Sequence, residues 1–102
     1  PPLLDPRTIP VFGLPPEAAG LRILHLTDFH IRAGKRSCPP PILLQRLADE
    51  IKGLDRPIDL LCITGDLADR QGDERAAVER LAPLLNAILP RVRHGAFGIF
   101  GN

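Results

Sequence analysis

Apolar positions along this chain alternate between two periods. From Leu21 to Thr27, apolar and β-branched residues run together, the pattern of a strand. A polar loop follows, from Asp28 to Pro40. From Pro41 to about Leu54 the spacing changes. Leu43, Leu44, Leu47, Ile51 and Leu54 recur at three and four residues, which predicts a helix with one apolar face. The prolines at 39–41 suit its first turn, and Gly53 and Pro57 its end. Ile58 to Thr64 is almost continuously apolar, as expected of a strand buried on both faces. After a polar loop from Gly65 to Asp73, a second helix is predicted over Glu74 to Leu89. Its stripe is Val78, Leu81, Leu85 and Ile88, and Pro83 is expected to kink or split it. Gly95 to Phe100 reads as a third strand, followed by Gly101-Asn102.

The order strand, helix, strand, helix, strand predicts an α/β fold, a βαβαβ unit with a parallel sheet and right-handed crossovers. Ligands of such sheets sit beyond the carboxyl ends of the strands. Residues 1–20 form a Pro-rich leading segment with a short strand expected at Ile9 to Phe12; residues 21–102 carry the α/β unit.

Composition narrows the classes of function. Hydrophobic residues at 44% are enough for a core, and 13 Lys+Arg against 12 Asp+Glu leave a net charge of +1. No field of one sign is present to draw nucleic acid or an anionic membrane. No apolar run approaches the ~20 residues that cross a bilayer. Pro1 to Asp5 lacks the basic and long apolar regions of a signal peptide. Cys38 and Cys62 read as free thiols in a reducing compartment. The expected location is therefore the cytoplasm, with peripheral association at the inner membrane left open.

Three polar signatures fall at the three strand ends: Asp28-Phe29-His30, Gly65-Asp66-Leu67-Ala68-Asp69 and Gly101-Asn102. Neighbouring strands lie about 4.8 Å apart, so the tips should converge. In an extended segment Asp28 and His30, two residues apart, would project to one side. Carboxylate with imidazole suits Zn, Fe or Mn better than Mg or Ca. Asp66 has two oxygens and can bridge, Asn102 offers a neutral carboxamide oxygen, and Gly65 and Gly101 permit sharp turns. Asp69 reads as a supporting loop residue, His25 as a packed or hydrogen-bonded core residue and His94 as a solvated one. Arg32, Lys35 and Arg36 read as a solvated loop that could also face an anionic substrate.

In this order, the signatures resemble the D-x-H, G-D-x-x-[DE] and G-N-H-[DE] motifs of the calcineurin-like metallophosphoesterase superfamily, over about Gly20 to the end. The stretches Leu24 to His30 and Gly95 to Asn102 are most similar to its bacterial YaeI/YkuE-like phosphodiesterase branch. The resemblance implies the parallel-sheet half of a β-sandwich flanked by helices. It implies that Asp28 and His30 hold one divalent cation, that Asp66 bridges two, and that Asn102 holds the second, the cations being Mn, Zn or Fe. A hydroxide bridging such a pair would attack a phosphoester substrate. Members of the family carry further His residues after the Asn, and the chain stops before them. It is thus expected to be a fragment with little activity alone, partnered by the missing C-terminal half of the domain, and to expose an apolar sheet face. Other readings are a pyrophosphatase acting on UDP-2,3-diacylglucosamine in lipid A synthesis, a non-catalytic scaffold of the same fold, and a receiver-type phosphoacceptor domain. The last would have no need of His30 or Asn102.

Overall fold

In the computed structural model, which describes residues 3–32, 39–68 and 72–99, the alternating periods become β1 (Ile23–Leu26), α1 (Pro41–Lys52), β2 (Leu60–Ile63), α2 (Glu74–Ile88) and β3 (Ala96–Gly98). The strands are parallel and lie in the order β1-β2-β3, with Leu24 opposite Leu61 and Leu61 opposite Ala96. The architecture is thus the α/β, parallel-sheet arrangement that the sequence predicts.

Both helices contribute to one core. Leu24, Leu26 and Leu61 of the sheet pack with Leu44, Ala48 and Ile51 of α1 and with Ala77, Leu81, Leu84 and Ile88 of α2. Fully burying a side chain of this size contributes roughly 1.5–3 kcal/mol. Leu61, Ile51 and Ile88, with Ile31 beyond the end of β1, are completely buried, so they carry the largest share. α1 begins without a side-chain cap. Pro40 is extended (φ −60°, ψ 146°) and Pro41 fills the first turn, where its missing N–H is no loss. Gly53 ends it, donating to the Asp49 carbonyl at 3.0 Å.

Several local expectations need correction. β2 is not buried on both faces: Leu61 is inaccessible, while Leu60 and Cys62 are half-exposed. The helices cover one face of the described sheet. The other face carries Ile23, His25 and Phe97, and Phe97 is 62% exposed. His25 is therefore exposed rather than in the core, but it is hydrogen-bonded as expected: its ring meets the Thr64 hydroxyl across the strands. The apolar sheet face expected to be exposed is exposed.

On α2, Val78 points outward at 69% exposure, and the inward stripe is Ala77, Leu81, Leu84 and Ile88. Ala77, at 5% exposure, takes the inward place that ranking residues by hydrophobicity gives to Val78. Pro83 does not split α2, which runs unbroken to Ile88 before a 3-10 turn at Leu89–Arg91. Pro83 and Glu79 are both exposed, so the carbonyl deprived of its donor lies on the watered side of the helix. Ile9 to Phe12 forms no strand. Pro10 lacks a donor, Ile9 and Phe12 are exposed, and a 3-10 turn at Pro16–Ala18 is the one regular element of the described residues before β1.

Candidate metal centre

Pairing between β1 and β2 continues beyond their last strand residues. The Thr64 N–H donates to the Leu26 carbonyl at 3.1 Å, Asp28 N–H to Gly65 at 3.2 Å, His30 N–H to Asp66 at 3.0 Å, and Ile31 N–H to Leu67 at 2.8 Å. A bridge between Ile31 and Ala68 closes this ladder, and Ile31 is fully buried. Phe29 packs against the core from between Asp28 and His30. The two loops are therefore stitched together and anchored by apolar side chains.

The backbone here is strained in a specific way. Among the described residues, the non-glycine positions with positive φ are Asp28 (58°), His30 (49°) and Asp66 (51°). Gly65 precedes Asp66 with φ 95°. Left-handed conformations are tolerated best by Gly and, among side-chain-bearing residues, by Asn, Asp and His. Each such residue costs of the order of 1–3 kcal/mol and persists only where its surroundings impose it. The extended geometry expected for Asp28 and His30 is thus absent. Two left-handed residues flanking an inward Phe29 bring the pair to one side instead.

Ligand atoms of Asp28, His30 and Asp66 all lie within 4.8 Å of one another. His30 Nε2 is 3.3 Å from Asp28 Oδ1, and the Thr27 hydroxyl donates to Asp28 Oδ2 at 2.7 Å. That hydroxyl is the main influence holding the Asp28 carboxyl below its usual range. Desolvation opposes it; hydrogen bonding and charge from His30, then hydrogen bonding with Asp66, add to it. Asp28 and His30 are exposed and Asp66 is half-buried, so the trio is open to solutes. Asn102 and Asp69 lie outside the described residues, as do Lys35 and Arg36. Arg32 and His94 are both exposed, and His94 lies 3.8 Å from Asp59, far along the sequence from the trio. Thr27 was not among the residues that the sequence pattern marked; the signal was a hydroxyl immediately before Asp28.

The residues fit a divalent cation. Ligands of one such ion at about 2.0–2.2 Å stand no more than about 4.4 Å apart. Separations up to 4.8 Å are within a few tenths of an ångström of that limit, and also suit ligands shared between neighbouring ions. Two carboxylates and an imidazole are donors for borderline transition metals.

Residues 21–102 match the family of calcineurin-like phosphoesterases. Over 91 residues, 88% of this chain, the sequence is 33% identical to the uncharacterized metallophosphoesterase YkoQ of Bacillus subtilis (strain 168). The chain spans 29% of the length of that relative. No solved structure matches this chain.

Proposed function

The chain belongs to the calcineurin-like phosphoesterase family, and from that premise we propose that Asp28, His30 and Asp66 hold part of a two-cation centre in a hydrolase acting on phosphodiesters. The observation that carries this reading is the convergence of the three ligand atoms within 4.8 Å at adjacent strand ends. When bound, divalent cations there supply a water of lowered pKa and neutralise charge on phosphoryl oxygens.

The chain's own residues prepare the site for this. Two carboxylates facing one another would repel a phosphoester anion, so the site attracts substrate only after taking up positive charge. Asp28 is kept ionised by the Thr27 hydroxyl and His30. The cross-loop ladder fixes the separation of the two main-chain segments that present the carboxylates before any ligand arrives. Asp66, presented from β2 between two neighbouring strands, is the residue positioned to serve two cations, with Asn102 assigned to the second. Mn, Zn or Fe suits this donor set. The remaining ligands are assigned to a C-terminal half of the domain, since three described donors are too few to hold two ions. A cytoplasmic location goes with the reading, with the Cys62 thiol free. No helix among the described residues is long and apolar enough to cross a membrane.

The test is metal-dependent hydrolysis of an aryl phosphodiester by a chain that joins these residues to their C-terminal half. Asp28→Ala and Asp66→Ala should each lower the rate by at least ~100-fold, beyond the usual cost of losing a supporting partner of a ligand. Unchanged rates in both variants would remove the proposal.

A further inference from the structure

We infer that Thr27 is a positioning residue: its hydroxyl occupies Asp28 Oδ2 and so turns Oδ1 toward His30 and the cation. The inference rests on the metal-centre reading above. The Asp28 carboxylate has two oxygens with different fates. Oδ2 accepts from Thr27 Oγ1 at 2.7 Å, a short contact to a charged acceptor. Oδ1 lies 3.3 Å from His30 Nε2. The Thr27 hydroxyl has one proton and a second acceptor in range, the Thr64 carbonyl at 3.4 Å. The shorter, charge-assisted contact takes the proton.

Asp28 needs this restraint more than an ordinary loop carboxylate does. It is exposed, so packing does not fix its rotamer, and its backbone is left-handed. The ladder fixes its main chain through the Gly65 carbonyl but leaves the side chain to rotate. Thr27 supplies a restraint on Oδ2 from the residue just before Asp28, beside the contact that His30 makes with Oδ1. The threonine hydroxyl is in turn set by its place at the end of β1, opposite the Thr64 segment that His25 contacts. Supporting partners of this kind typically govern metal affinity by 10–100-fold, and exposure to competing water places Thr27 at the lower end.

The experiment uses the full chain with Mn2+ as probe, in wild type, Thr27→Val, Thr27→Ser and Asp28→Ala. Calorimetric titration should show Thr27→Val weakened about tenfold, with Thr27→Ser close to wild type because it restores the hydroxyl. A merely structural threonine would show no such rescue by serine. The metal-free chain gives a second readout. Three-bond couplings should report one Asp28 χ1 rotamer in wild type and Thr27→Ser, and averaged rotamers in Thr27→Val. If Thr27→Val does not fold, Thr27→Ala takes its place against Thr27→Ser. Equal couplings in the Val and Ser variants would overturn the inference, as would equal Mn2+ affinities. Asp28→Ala separates the two claims: if it binds Mn2+ as wild type does, the metal-centre reading fails, whatever Thr27 does to the rotamer.

Discussion

The two ends of the same parallel strands use their charged residues in opposite ways. At the amino end, charge is spent on the main chain. Asp59 accepts from the Arg22 N–H at 2.8 Å, the Arg22 guanidinium donates to the Arg56 carbonyl at 2.8 Å, and Arg91 donates to the Leu54 carbonyl at 2.8 Å. None of these residues has a positive φ, and the Asp59 side chain is only 15% exposed. At the carboxyl end, Asp28, His30 and Asp66 face one another, remain accessible and sit on left-handed backbone. Charges absorbed by backbone groups secure the fold. Charges gathered on a strained and open frame are the ones available to a ligand.

Leu61 sits between these ends and should tie them together. Leu61→Ala is expected to lose about 2–5 kcal/mol in urea unfolding, and with it both the Asp59 and the Asp66 segments should exchange amide protons faster. If only one end loosens, the ends do not share a core. Asp66→Asn comes next. Asn also tolerates the left-handed region, so unfolding should change by no more than about 0.5 kcal/mol, while Mn2+ affinity should fall about 100-fold, or about 2.7 kcal/mol. Loss of stability on that scale would erase the distinction between the ends. Asp59→Ala is the mirror experiment. It leaves the Arg22 N–H without its acceptor, and a loss of about 1–3 kcal/mol is expected, with Mn2+ affinity unchanged.

The smallest effect is on pH. The Asp28 carboxyl titrates below its usual range, so its folded-state contribution is present above the unfolded value and is lost as pH falls through the lower folded one. Carboxyl carbon shifts should follow that midpoint. Because the Thr27 hydroxyl is the leading cause, Thr27→Val should move it upward, and Asp59→Ala should leave it where it is.

Much of this arrangement was legible in the chain. The three- and four-residue spacing of Leu44, Leu47 and Ile51 marked α1, and Asp28, His30 and Asp66 were singled out by residue type and by their place after apolar runs. The burial of β2 was overestimated because an apolar run such as Leu60 to Ile63 says nothing of which face a helix will cover. Val78 misled because Ala77, one residue earlier, lies on the buried face, and ranking positions by hydrophobicity passes over an alanine. The left-handed backbone at Asp28, His30 and Asp66 was invisible to period counting, since strand and helix templates describe only negative φ. Its trace in the sequence was chemical: Asp, His and a preceding Gly are the residues that accept such angles.

The ladder that runs past the ends of β1 and β2 also bears on how such a chain can diversify. Adding or deleting one residue between Leu26 and Ile31, or between Ile63 and Ala68, would shift every later hydrogen-bond partner by one and swing the acidic groups out of phase. Within these two loops, the ladder leaves room for length variation only beyond the Ile31–Ala68 bridge. Natural variation in loop length should therefore concentrate in the segments that follow it, leaving the spacing of the inner loops untouched.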